Sequence, residues 1–489
     1  MRARWYLLVL GTVPVLVGCP SAPAPQQTPQ PPATVTAEPP PITPDDPAVI
    51  AELEKAGAKL TVSKGGQVQR VDASGTSFTD PAAALAFLTK VGKLPFVVEV
   101  KVFGPGIDNA AVEALKDCRT LRAFEAVNSS ISEAGIATLA SLPILESLYA
   151  RRANIGLGLL SNADQAAQVN AALATAAEKL AAGTSINDID PAALVEEPAL
   201  KQHLDSCALK AVSASGSIRN LDLRYTNVSD LEIAYLGRMS QLKVLRLEES
   251  RVTDKCVPFL AQMTGLTFLN LKGATFSSAG LKGLKTLVNL TNLELDDTRL
   301  TDEGLLELAP LTKLRELHLR RTQVANPGMA VLAHMPELRV LKLRDTLVTD
   351  AGLVHVAGLK NLVELDLSEG IFSDKGLVHL AGLTNLEDLS LWATDTTDEG
   401  LDQLVGLTKL RVLSLEKTRI TDAGIPKLAA LTNLTELNLG ETEIGSEGVL
   451  ALKELKGLKK LTLSNCYNVG SDAVDELKAA LPNLEVVGP

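Results

Sequence analysis

Aliphatic residues fall at Ile218, Leu242, Leu266, Leu290, Leu314, Leu338, Leu362, Leu386, Leu410, Leu434 and Leu458, each 24 positions after the last. Further aliphatics follow three and five places on, as in Leu290, Leu293 and Leu295. In most units another sits ten places on: Val228, Val252, Leu300, Val324, Val348, Ile420, Ile444. A fixed period of this length marks a solenoid, in which each unit covers its hydrophobic side only by stacking on its neighbours. Leu121 and Leu145 keep the frame, and Val97, Val100, Val102 and Ile107 fit it. Val68, Val71, Ala73 and Phe78 make a longer first unit. The count is about fifteen repeats, with a last strand at Leu484 to Val487.

The pattern within one unit predicts its elements. In residues 290–313, alternation puts Leu293 and Leu295 on one face of a short strand, with Asn292, Glu294 and Asp296 on the other. Thr301 is placed to cap a helix, and Asp302 and Glu303 suit its positive end. Leu300 and Leu305 form a hydrophobic staple, and Leu305, Leu308 and Leu311 line one helical face. The column Asp230, Asp254, Asp302, Asp350, Asp374, Asp398, Asp422 is read the same way, as helix-start acids that need no bound ion.

Strands pack about 4.8 Å apart and helices 8–10 Å apart, so a stack of such units is expected to curve with its sheet inside. Across roughly residues 67 to 489 the pattern resembles the leucine-rich repeat family, in its longer, helical, ribonuclease-inhibitor-like form. The resemblance implies an α/β solenoid, a horseshoe with a parallel concave sheet and convex helices. Where that family often has Asn or Cys after the strand, this chain mostly has Thr: Thr226, Thr298, Thr322, Thr346, Thr394, Thr418, Thr442. A ladder of these hydroxyls donating to carbonyls of the neighbouring repeat is expected in their place.

One unit is interrupted. Leu145 to Ile218 is 73 residues, a repeat plus 49 more, alanine-rich and helical in pattern over Ala163 to Leu180 and Pro191 to Val212. The extra chain begins after Ile155, past the strand, so the sheet can continue while the insertion sits outside it. The resulting division is 1–18 signal peptide, 19–47 Pro-rich linker, 48–66 amino-terminal cap, 67–157 repeats, 158–215 helical insertion, and 216–489 repeats ending in a cap.

The amino terminus changes the expected address. Arg2 and Arg4 precede an apolar stretch from Trp5 to Val17, broken by Pro14 and shorter than the roughly 20 residues that span a bilayer. It ends in Leu16-Val17-Gly18-Cys19, which resembles the lipobox of bacterial lipoproteins. That resemblance implies cleavage before Cys19, lipidation of Cys19, and an exported chain anchored in the cell envelope, on the periplasmic face or at the outer membrane. The segment that follows is dense in proline and reads as an extended spacer.

Without Arg2 and Arg4, 45 basic residues face 58 acidic ones, a net charge of −13. That disfavours nucleic acid as a partner. After Cys19 only Cys118, Cys207, Cys256 and Cys466 remain, with no CxxC pair, so no zinc site is expected. Cys466 occupies a repeat position and reads as structural. A disulfide between Cys118 and Cys207 is left open. His355 and His379, one repeat apart on outer helices, stand too far apart to share an ion. No catalytic fingerprint and no cofactor motif is present, and the chain is read as non-catalytic.

The residues that point out of the sheet are those free to recognise a partner. Their centre is a basic cluster, His318, Arg320, Arg321, Lys342 and Arg344, flanked by Asp296, Asp297, Asp366 and Glu369, with Trp392 in the same column. Arg and Trp dominate binding hot spots, so these six residues are the candidate site for a protein or peptide ligand. The alternative is a structural envelope lipoprotein that self-associates through its insertion. An aromatic content of 3% argues against a carbohydrate groove.

Overall fold

The computed structural model describes residues 44–156 and 163–488. The segment expected to be a signal peptide, Cys19 and most of the proline-rich segment lie outside the described residues.

The described chain builds one open sheet of 17 strands, antiparallel only at its first pairing, Lys59–Val62 against Val68–Ser77. Every later pairing is parallel, and through the regular repeats each residue faces the one 24 positions on, as in Glu316↔Val340, Leu317↔Leu341 and His318↔Lys342. The central leucine of each strand enters the core: Leu269, Leu293, Leu317 and Leu341 expose nothing. Burial of each contributes roughly 1.5–3 kcal/mol, which is what holds repeat upon repeat.

Every turn out of the sheet bends at the same place. Asn128, Arg152, Tyr225, Glu249, Asp297, Arg321, Asp345, Glu369, Ala393, Lys417, Glu441 and Asn465 all have φ between 52° and 61°. Where a threonine comes next, as it does after seven of these residues, its hydroxyl turns inward. It donates to the carbonyl three residues back in its own repeat, as in Thr298 Oγ1 to the Leu295 oxygen at 2.6 Å and Thr394 Oγ1 to Leu391 at 2.7 Å. The expected ladder to the neighbouring repeat therefore does not form. The turn already directs the hydroxyl at a closer carbonyl. Cys466 makes the inter-repeat link instead, its Sγ donating to the Leu439 oxygen at 3.0 Å.

The aspartate column binds repeats together. Asp374 Oδ1 accepts the backbone N–H of Thr397 at 2.9 Å, and its Oδ2 accepts the Thr397 hydroxyl at 2.6 Å. The same clamp joins Asp350 to Ser373, at 2.8 and 2.6 Å, and Asp398 to Thr421, at 2.9 and 2.6 Å. Glycine follows for a steric reason. A Cβ at Gly376, Gly400 or Gly424 would stand 2.2–2.4 Å from the clamping Oδ1 of the repeat before. Thr301 departs from its expected cap: its hydroxyl bonds Glu303 and Ser278.

The outer layer is tighter than whole α-helices in mid-array. Helices of seven or more residues occur early, as in Pro81–Gly92 and Asp230–Leu236, and at Ser471–Ala480. Between them stand single α-turns such as Asp374–Leu377 and 3₁₀ segments such as Asp350–Gly358. The spacing explains this: Leu305, Leu308 and Leu311 repeat every three residues, the period of a 3₁₀ helix rather than of an α-helix.

Across the interruption the sheet is continuous, with Ser147↔Asn220, Leu148↔Leu221 and Tyr149↔Asp222 in register. The inserted chain forms the Ala163–Ala181 and Pro198–Ser206 helices and two 3₁₀ turns. The Ala208–Ala214 helix packs against Glu133–Ala140 on one side and Asp230–Leu236 on the other. It thus fills the outer position of the split repeat, with Leu209 and Val212 buried. Tyr235, fully buried, ties the insertion down by donating to the Leu204 carbonyl at 3.1 Å. Cys118, Cys207, Cys256 and Cys466 are all free, buried thiols, so Cys118 and Cys207 are not joined.

Candidate functional site

Because the strands are parallel and in register, a side chain on the outer sheet face meets its counterparts one repeat away, within ion-pair reach. The result is a ladder of interleaved charges. Arg151 Nε lies 2.9 Å from Asp222 and its Nη2 lies 3.2 Å from Glu125. Arg224 reaches Asp222 at 2.8 Å and Glu248 at 3.5 Å, and Lys272 reaches Glu248 at 3.0 Å. Arg320 is held between Asp296 at 3.6 Å and Asp366 at 3.1 Å. Arg321 pairs with Asp297, Lys342 with Glu364, and Arg344 with Glu369 at 2.8 Å.

The six candidate residues therefore do not make a basic centre with acidic flanks. Each Arg and Lys among them is matched to a carboxylate beside it, because the register brings the charges of successive strands together. Burial, with the charges of Arg320 and Lys342, pushes His318 down to about 4, so it is a neutral ring at pH 7. Burial also lowers Lys342 from its ordinary value. In the opposite sense, burial and the neighbouring Asp296 and Glu248 push Glu294 up to about 6.

Arg320, Arg321, Lys342, Arg344 and Trp392 line one groove of about 410 Å³, together with Asp366 and others. His318 is not among its lining residues. In this groove the Arg344 guanidinium stacks over the Trp392 ring, 4.4 Å from its centroid. A cation fixed over an indole face is a preorganised anchor of the kind that recognises planar or charged groups.

A second groove on the same face, about 400 Å³, is lined by Glu99, Lys101, Glu125, Tyr149, Arg151 and Arg246 among others. The sequence reading passed over it, although Tyr149 and Arg151 stand in the outward column of the interrupted repeat. Arg246 stacks on Phe268, 4.5 Å from the ring centroid. Tyr149, Arg151 and Arg246 give this groove an aromatic and cationic character like that of the first.

His355 and His379 belong to the outer layer, away from both grooves. Among the described residues, three metal-capable side chains converge elsewhere, at Glu133, His203 and Glu232 beside the insertion. No helix among the described residues is long and apolar enough to cross a membrane.

The leucine rich repeat family model matches residues 286–309, 311–333 and 430–453. No curated protein matches the chain. Among solved structures, a leucine-rich repeat protein of Leptospira interrogans is similar at 17% identity and a TM-score of 0.50, over 84% of this chain and 99% of that one. An internalin of Listeria monocytogenes is similar at 21% identity and a TM-score of 0.47, over 67% of this chain and 94% of that one. One short parallel strand in each unit, a buried leucine at the strand centres and the family model matching within the array together show a leucine-rich repeat fold.

Proposed function

We propose that this protein is a non-catalytic recognition module, tethered to a cell envelope through Cys19, that binds a protein or peptide on the outer face of its sheet. The observation that carries this reading is the Arg344–Trp392 stack, set in a groove whose other charges are already paired. Paired charges lose less on desolvation than free ones, so a partner can cover them while gaining contact with the half-buried stack. The grooves support binding rather than chemistry. Ser368 Oγ donates to Asp366 Oδ1 at 2.5 Å in the first groove, but both residues are buried, and the half-buried His318 is held as a neutral ring.

Self-association through the insertion has less support. Val169, Ala172, Leu173, Ala176, Leu200 and Leu204 are buried within the molecule, so much of the insertion's apolar surface is already covered.

Immobilised full chain, offered an envelope extract, is expected to retain a partner that a folded Arg344→Glu/Trp392→Ala variant loses. Equal retention by both would remove the groove from the proposal. Arg320 is a poor choice for this test: a glutamate there would stand beside Asp296 and Asp366 and threaten the fold itself. For the tether, Cys19→Ala is expected to move the chain from the membrane to the soluble fraction.

A further inference from the structure

The place where the repeat array is split contains a donor set that recognition does not use. Glu133 opens the Glu133–Ala140 helix, before the insertion, and Glu232 lies in the first turn of Asp230–Leu236, after it. Between them, the inserted Pro198–Ser206 helix presents His203, and Cys207 follows it. One donor atom from each of Glu133, His203 and Glu232 lies within 4.8 Å of the other two. His203 Nε2 is 3.1 Å from Glu232 Oε1, and Cys207 Sγ is 3.7 Å from that same oxygen.

The surroundings favour a cation there. Glu232 is wholly buried, the His203 side chain is 23% exposed, and Cys207 is 2% exposed. Two carboxylates converge with one imidazole in a low-dielectric site, and a protonated His203 can neutralise only one of them. Donors at about 2.0–2.3 Å around a tetrahedral ion stand roughly 3.3–3.8 Å apart, so the His203–Glu232 and Cys207–Glu232 distances are already close to those of a bound ion, and no separation among Glu133, His203 and Glu232 must contract by more than about 1.5 Å. Imidazole nitrogen and thiolate sulfur beside carboxylate oxygen suit zinc or a similar first-row ion rather than calcium or magnesium.

We propose that Glu133, His203 and Glu232, with Cys207 as fourth donor, bind one zinc-class divalent cation that pins the inserted helices to the repeats on both sides. Binding releases the protons of His203 and Cys207 to solvent and replaces the His203–Glu232 hydrogen bond with two metal bonds. The sequence carries a signal for this in the close spacing of His203 and Cys207, which the end of the Pro198–Ser206 helix and the residue after it bring to the same Glu232 oxygen.

The test uses chelator-stripped full chain titrated with Zn²⁺ and, in parallel, with Co²⁺. The expected result is one equivalent bound per chain, a higher thermal midpoint with metal, and a thiolate-to-cobalt charge-transfer band. His203→Ala is expected to weaken binding at least tenfold and abolish the thermal shift, while the outer-layer variant His379→Ala binds as the parent does. Glu232 also accepts from the Ser229 N–H at 2.9 Å and so supports its own helix. The partly exposed His203 is therefore the informative position. Absence of tight uptake by the parent, or equal uptake by folded His203→Ala, overturns the site. A band that persists in Cys207→Ser overturns the fourth donor.

Discussion

Two sets of polar residues in this molecule behave in opposite ways. In the turns beyond the sheet, Asp350, Asp374 and Asp398 make the same pair of bonds to the next repeat, with lengths that agree within about 0.1 Å. On the sheet face, neighbouring repeats differ: Arg320 bridges two carboxylates, Arg344 pairs with one and stacks on Trp392, and Ser368 bonds Ser390 at 2.8 Å. The recurring aspartate is bonded to the next repeat and serves stacking, while the recurring threonine closes the turn of its own repeat. A polar residue that changes from repeat to repeat serves no common structural bond, and such positions are where recognition can be written.

The comparison is broken most forcefully at the clamp glycines. A side chain at Gly400 would meet Asp374 Oδ1 at 2.3 Å and Leu377 Cδ1 at 2.8 Å, whereas one at Gly406 meets only the Ala381 carbonyl at 3.8 Å. Gly400→Val is expected to cost roughly 3 kcal/mol and Gly406→Val less than about 1, measured from urea unfolding midpoints. Equal losses would show that the glycine column has no steric role in stacking.

Removing the clamp itself should cost less. Asp374→Ala leaves the Thr397 N–H and hydroxyl without their acceptor, with an expected loss of about 1–3 kcal/mol. Asp395 pairs with Arg419 at 2.8 Å, but both side chains are more than 60% exposed, so Asp395→Ala should lie within about 0.5 kcal/mol of the parent. If the two aspartates prove equivalent, the distinction between recurring and varying polar residues fails.

What could be read from the sequence follows the same division. The strands, their inward leucines and the outward columns were legible because a period of 24 and an alternation of two leave little freedom in register. The aspartate column was equally visible but was assigned to the helix dipole, since its partner lies 23 residues on in sequence and close only after stacking. Threonine positions were right and their acceptors wrong, because the acceptor depends on a left-handed turn that non-glycine residues do not advertise. The His318 to Arg344 cluster was read column by column as basic. Pairing such as Arg320 with Asp366 crosses two repeats and depends on side-chain reach, which spacing does not encode. His203 and Cys207 were missed because a search for paired cysteines does not detect a His–Cys pair.

A pH series sharpens the sheet-face side of the comparison. His318 is held down to about 4 in the folded chain against an ordinary value near 6.5. Its contribution to stability is therefore present above about 6.5 and is lost as pH falls toward 4. Glu294, pushed up to about 6, has the opposite sign: its contribution is present below about 4.3 and lost as pH rises through 6. His318→Asn is expected to be more stable than the parent by roughly 1–2 kcal/mol near pH 4.5, relative to their difference at pH 7. Glu294→Gln should show its relative gain at pH 7. Parallel pH curves for parent and variants would mean that neither group is buried as described.

The smallest effect is expected where recognition is proposed. Arg344 pairs with Glu369 at 2.8 Å and lies over Trp392, yet its side chain is 33% exposed and no clamp depends on it. An exposed pair contributes about 0–1 kcal/mol and a cation–π contact at such a site about 0.5–1, so Arg344→Ala should cost about 1 kcal/mol or less. A double-mutant cycle with Trp392→Ala separates the stack from the ion pair, since only the stack is lost in both single variants. A coupling near zero would make Trp392 merely adjacent. A coupling of several kcal/mol would make the pair part of the fold's support, and the sheet face would then be no freer for binding than the clamps behind it.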